Sequence, residues 1–333
     1  MAAMFRSPSR LLLPLLVLAP LAAQEIDLRT TAKKGGSVWL VVEQTLVRSF
    51  EAMGQEVELT QSSTRVQHLT VDDVDDKGNL TVTVAIARIF GKLSGAGEEV
   101  TFDSQGAAEA AEDDEAAGMM AAAIKGMQAG AGKSFKAKVS PYGRVLELVD
   151  TKAILENTED SPGLDESQLK QMVEGAFGRL PEKPTAKGGK WPHADGSRGG
   201  RMPTKLVAEL TLSQVDDETF EIEAAGKIEK ADMAAASDDD SPTTKAARSM
   251  KVENGKASGK QKISRKDGFL IESRMEGSME AEMSMQGMAV PMKINNTTTT
   301  KRASEADAKP AAKEAPKKDA PKAEEPKKSE GHE

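Results

Sequence analysis

The chain has 333 residues, with 45 Lys and Arg against 53 Asp and Glu, a formal net charge of -8 and a pI near 5.3. That balance, without a concentrated basic surface, argues against binding a phosphate backbone, and no nucleic acid is expected as a partner. Cysteine is absent, which excludes disulfides, thiolate metal sites and thiol nucleophiles, and the length allows one large or two small domains.

Arg6 and Arg10 precede an apolar stretch from Leu11 to Leu21, and the small residues Ala22 and Ala23 follow. This is the layout of a secretory signal peptide, with cleavage expected after Ala23 and an exported, periplasmic or secreted, product. The stretch is too short to span a bilayer comfortably, and no later segment is long and apolar enough to do so.

Strand patterns follow at residues 38–50, 57–71 and 80–89, where Leu80, Val82, Val84 and Ile86 alternate with Thr81, Thr83 and Ala85. Between the last two, Asp73, Asp75 and Gly78 imitate the start of a calcium loop, but Lys77 stands at a ligand position and Val84 replaces the closing carboxylate. An acidic hairpin turn is expected instead, with Gly78 and Asn79 taking the positive φ. Residues 107–128 predict a helix with Met119, Met120, Ala123, Ile124 and Met127 along one stripe. Gly130 to Ser134 looks like a phosphate loop, yet the preceding Gly is misplaced and a strand, not a helix, is predicted next.

Further strands are predicted at 135–139, 145–149, 205–212 and 220–228, and a second helix at 166–180 with Leu169, Met172, Val173, Ala176, Phe177 and Leu180 on one face. Pro181 ends it. Residues 181–203, rich in Gly, Pro and Lys, predict a connector holding Trp191, His193 and Asp195, either a small site at a sheet mouth or, as expected here, a loop anchored by its Trp.

The strongest signal is at 269–285. Phe269, Ile271, Ser273, Met275, Gly277, Met279, Ala281, Met283 and Met285 alternate with charged or polar residues, which is strand periodicity. The run exceeds an ordinary strand, so the sheet must curve, bulge or fold back. From about residue 303 onward Lys, Glu, Ala and Pro dominate, and a disordered tail able to contact membrane or cell wall is expected. The fold class predicted is mainly β: a large curved antiparallel sheet or half-open barrel over residues 36–302, with two packed helices. Its two halves, 36–155 and 204–302, rhyme. Leu69-Thr70-Val71 with Val74-Asp75-Asp76 matches Leu210-Thr211-Leu212 with Val215-Asp216-Asp217, and Gly132-Lys133 before Val139-Ser140 matches Gly259-Lys260 before Ile263-Ser264.

Catalytic resources are thin. The three histidines are His68, His193 and His332, and no Gly-x-Ser-x-Gly elbow occurs. An enzyme is not expected, nor a cofactor. Methionine is the unusual resource: Phe269, Ile271, Met275, Met279, Met283 and Met285 share one strand face and are expected to line a core or a cavity for a lipid or other hydrophobic molecule. Copper held by Met279, Met283, Met285 and Met288 is the alternative, and a structural envelope protein the third reading.

The motifs Thr101-Phe102-Asp103-Ser104, Val139-Ser140-Pro141-Tyr142-Gly143-Arg144-Val145 and Asp267-Gly268-Phe269-Leu270 resemble those of a family of uncharacterised exported proteins from planctomycete-type bacteria. The resemblance covers residues 36–302 and implies no activity. At the level of fold, the order of elements is similar to periplasmic lipoprotein carriers, which would imply a half-open barrel cradling an acyl chain.

Overall fold

The computed structural model describes residues 25–52, 55–95, 97–106, 124–126, 128, 130–155, 164–197, 203–231, 249–285 and 288–308. The signal-peptide reading, most of the helix at 107–128, and residues 309–333 of the tail lie outside them. About 65% of the described residues are strand, in one 12-stranded antiparallel sheet that is not closed, with three short helices among them.

The chain enters at the centre of the sheet and works outwards. Strands β1 (Ser37–Ala52), β2 (Gln55–Val74) and β3 (Leu80–Gly95) form a meander that β4 (Glu98–Asp103) and β5 (Ser134–Val139) both join at β3, and β6 (Val145–Val149) makes the first edge. Helices α1 (Lys152–Leu155) and α2 (Glu166–Phe177) then cross the concave face. The chain resumes at the opposite edge with β7 (Lys190–Ser197) and returns through β8 (Thr204–Val215), β9 (Thr219–Lys230), β10 (Lys251–Ser264) and β11 (Leu270–Met285). Strand β12 (Met288–Ala303) completes the sheet by pairing with β1 from Trp39↔Ala303 to Phe50↔Met292. The final turn, α3 (Glu305–Ala308), packs on β1 and β12.

Four strands arise where other structure was predicted or none was, the short β4 among them. Residues 190–197 are the edge strand β7 rather than a connector, and Pro192 sits where an edge strand tolerates a missing N–H. β10 and the second half of β12 carry no apolar alternation to announce them, although Met288, Val290, Met292 and Ile294 alternate in the first half of β12. The helix predicted to reach 180 stops at Phe177 because Gly178 turns the chain at φ 73 with its Cα against Ile263. Its start agrees with a capping box, Asp165 accepting from the Gln168 amide at 2.9 Å and Gln168 returning to the Asp165 amide at 2.8 Å.

Alternation on β11 holds from Ser273 to Met283. A register shift against β10 at Lys262/Ile263 breaks it at the start, so Leu270 is fully buried and Ile271 only half-buried. The matching segments of the two halves fall on equivalent hairpins, β2–β3 with β8–β9 and β5–β6 with β10–β11, and the order of strands runs the same way across both halves. The equivalence extends to turn chemistry. Asp75 Oδ1 accepts from the amides of Lys77 and Asn79, and Asp216 Oδ1 accepts from those of Glu218 and Thr219. Gly78 takes the positive φ, but Asn79 does not; its side chain bonds Asp75 Oδ2 instead.

Those bonds to Asn79 hold the Asp75 carboxyl at about 2, and the Thr219 and Glu218 amides lower Asp216 likewise. A carboxyl depressed in the folded state stabilises above its unfolded value and loses that contribution as pH falls through the folded one. Unfolding midpoints should therefore hold steady between about pH 7 and 5 and fall between about pH 4 and 2, and Asp75→Asn should flatten the fall. An acid limb unchanged by that substitution would remove the turn from the account.

Two large apolar clusters occupy the concave side. One joins the inner faces of β1 to β6 to α1 and α2, including Leu69, Val82, Val84, Phe135, Val173 and Phe177. The other lies on β8 to β11, with Leu210, Leu212, Phe220, Ile222 and Ile263. The convex face carries cross-strand ion pairs such as Lys260–Glu221, at 2.5 Å, and Lys190–Glu209, at 2.6 Å.

Candidate functional site

Between the two apolar clusters the concave face turns polar. Cross-strand pairing sets Arg65, Val42, Thr300, Ser273 and Gln261 in one row over β2, β1, β12, β11 and β10. The next row contains Gln44, Thr298, Met275 and Gly259. Gln67 is 2% exposed, Gln261 7%, Ser273 9% and Thr300 9%, so this band lies beneath the protein surface. Buried polar groups cost free energy unless they find partners, and an inner sheet face built only for packing would carry none.

Over this band stands α2. Its apolar stripe, Leu169, Met172, Val173, Ala176 and Phe177, is buried in the first cluster. Gln168, Gln171 and Gly175, at i, i+3 and i+7, present a second stripe to the band, and Arg179 follows in the same direction. The space left between is a cavity of about 450 Å³, within the range of roughly 300–1,000 Å³ usual for small-molecule sites. Leu40, Val42, Met172, Leu206, Ile228 and Met275 supply its apolar walls. A Cβ on Gly175 would meet nothing within 4 Å, which shows how open the helix side is.

The cavity holds two cations, Arg65 and Arg179. Arg179 is tied to the edge strand: its Nη2 lies 3.3 Å from Asp195 Oδ2, and its carbonyl accepts from Trp191 Nε1 at 3.1 Å. Trp191, His193 and Asp195 thus share the inner face of β7 and fasten the end of α2 to it. Burial, reinforced by Arg179 and Arg144, lowers His193 to about 3, so its ring is neutral near neutral pH. Arg65 is half-buried, donates from Nε to Gln67 Oε1 at 3.1 Å, and is pulled down to about 10 by burial. Gln44 Nε2 donates to Asn296 Oδ1 at 3.1 Å. Arg179 Nη1 and Gln261 Oε1 are buried with no hydrogen-bond partner.

Of the residues expected on a ligand face whose side chains are described, Met275 alone lines this cavity. Phe269 is buried against Phe177 with ring centroids 5.2 Å apart, and Ile271 is half-buried at the start of β11. Met279 is buried further along the strand beside Ile294, and Met283 packs with Met250, Ala281, Val252 and Met292 in a third cluster. Nothing is described of the Met285 and Met288 side chains. Of the set proposed for copper, Met279 therefore lies beside Ile294 and Met283 in that third cluster. No group of His, Asp or Glu suited to a metal occurs among the described residues. His68 is on the other face, stacked on Trp39 with centroids 4.3 Å apart. Gly130 to Ser134 leads into β5.

Arg65, Gln67, Gln44 and Gln261 were not expected at any site. Their only trace in the sequence is negative: polar residues at positions where neighbouring strands place apolar ones. The three sequence motifs do not reach the cavity either. Asp103 pairs with Arg88, Ser104 Oγ accepts from the Ile89 amide, and Ser140 Oγ accepts from the amides of Tyr142 and Arg144. Asp267 is gripped by Arg302, which also bonds the Phe269 and Leu270 carbonyls.

Similar solved structures include one of lipovitellin addressing its lipid–protein interactions, at 9% identity and a TM-score of 0.46, covering 85% of this chain and 26% of that one. This chain thus spans about a quarter of the lipovitellin chain. An outer membrane channel from Pseudomonas putida F1 is 10% identical with a TM-score of 0.24, covering 83% and 98% of the two chains. DynF, from the dynemicin biosynthesis pathway of Micromonospora chersina, is 7% identical with a TM-score of 0.21, covering 86% and 89%. At such scores no function transfers. No curated protein matches the chain. A family model does match, over residues 77–270, from the β2–β3 turn to the start of β11, and by that match the chain belongs to the family of unknown function DUF6263.

Proposed function

We propose that this is an exported, non-enzymatic binding protein that holds one small amphipathic molecule between α2 and the central strands. The observation carrying the reading is the buried polar band of Gln67, Gln261, Ser273 and Thr300, set between two apolar clusters and opening onto a cavity of about 450 Å³. Such a lining suits a ligand with an apolar body and a few hydrogen-bonding groups. The non-enzymatic part is supported by a neutral His193 and an Asp195 engaged with Arg179. Export rests on the Arg6 to Ala23 pattern.

Gly175→Phe tests the site. The added ring enters open space at the cavity, and replacing a helical Gly changes stability by no more than about 1 kcal/mol through propensity. Nile red, a neutral amphipathic dye, should bind the parent at a single saturable site and lose that site in the variant, while both unfold at similar denaturant concentrations. Equal dye fluorescence in the two folded proteins would refute the cavity as the binding site.

A further inference from the structure

The two cations of the cavity are not equivalent. Arg179 faces Asp195 at 3.3 Å, whereas no carboxylate forms an ion pair with Arg65 among the described residues. The cross-strand neighbours of Arg65 are Val42 and Ile89, both apolar, and burial lowers its affinity for its proton. Gln67, itself buried, takes the Nε hydrogen and fixes the plane of the guanidinium, leaving the two Nη groups without a bond. A half-buried guanidinium with no carboxylate beside it attracts an anion, and its fork matches the two oxygens of a carboxylate or phosphate.

A second observation lies at the other end of the same row. Gln261 is buried on β10 and keeps its Oε1 without a partner. From β2 to β10 the row crosses four strand spacings, about 19 Å at roughly 4.8 Å each. Apolar Val42, Leu40 and Met275 lie along or beside that path.

We infer that the cavity takes an acidic amphiphile, its oxyanion head held by the free Nη groups of Arg65, its body laid across the central strands and a hydrogen-bond donor at its far end reaching Gln261 Oε1. This assignment rests on the binding reading above and specifies its ligand class. The head is a carboxylate, as in a fatty acid, or a phosphate monoester, as in a phosphorylated lipid.

Isothermal titration of the full chain with dodecanoate, dodecyl phosphate and dodecanol tests it. At least one anion should bind tenfold or more tightly than the alcohol, and which anion does so identifies the source. Arg65→Gln should abolish the preference. Alcohol bound as tightly as both anions by the parent, an anion preference unchanged in Arg65→Gln, or no binding of any of the three overturns the assignment. The parent comparison decides alone where the variant does not fold. Gly175→Phe separates the two levels. If it removes binding that shows no anion preference, the Arg65 assignment falls and the cavity stands; if it leaves binding intact, the cavity reading falls.

Discussion

Phe177→Ala should lower unfolding free energy by about 3–5 kcal/mol, the usual cost of removing a large buried aromatic with its cavity term. The Phe177 side chain is 0% exposed and meets Phe269 at 5.2 Å, so it joins the end of α2 to the turn before β11. Gly143 also lies against it, which leaves little backbone freedom to collapse into the vacated space. Leu146→Ala is the control. Leu146 is 56% exposed on the edge strand β6, and surface truncations of this kind cost under about 0.5 kcal/mol. Chemical denaturation of both variants measures the contrast. Equal, small losses would mean that α2 does not rest on the sheet, and the cavity beneath it would lose its roof.

Met279→Glu should cost about 3 kcal/mol or more, because it places a carboxylate at an apolar position without a partner. Met279 is 8% exposed and sits opposite Ile294 of β12, itself 4% exposed. Ser278→Glu introduces the same group one residue earlier, on the solvent side, where its cross-strand neighbours are Lys256 and Asn295. It should change stability by less than about 0.5 kcal/mol. Thermal melts of the pair read the two faces of β11 directly. Similar losses at both positions would contradict the alternation on which the sheet face is assigned.

The parts of this fold legible in the sequence are those where burial falls on one side of a strand. Leu80 to Ile86 shows it because its inner residues pack in a dry cluster, and Ser273 to Met283 shows it because alternate residues turn away from solvent. β10 and the second half of β12 were illegible for the opposite reason. Their inner residues, Ala257 and Gln261 on one and Asn296, Thr298 and Thr300 on the other, are small or polar. These are cavity positions, so the pattern fails where the sheet turns from packing to binding. β7 escaped because Pro192 and Gly196 read as loop residues, which an edge strand accommodates. The methionine alternation on β11 correctly marked an inner face, but a face is longer than a site. α2 covers it near Met275, leaving Met279 and Met283 in the sheet's further interior. Arg65 and Gln67 left no positive signal, since the shared sheet face that places them in one cavity with Gln261 comes from pairing across four strand spacings that no local pattern encodes.

Native mass spectrometry of the protein purified from its own cells without detergent tests the central claim most directly. The account predicts a single non-covalent adduct on the parent, released at raised collision energy, and its absence from Gly175→Phe prepared in the same way. Bare protein in both preparations, or the same adduct on both, would contradict a ligand site beneath α2.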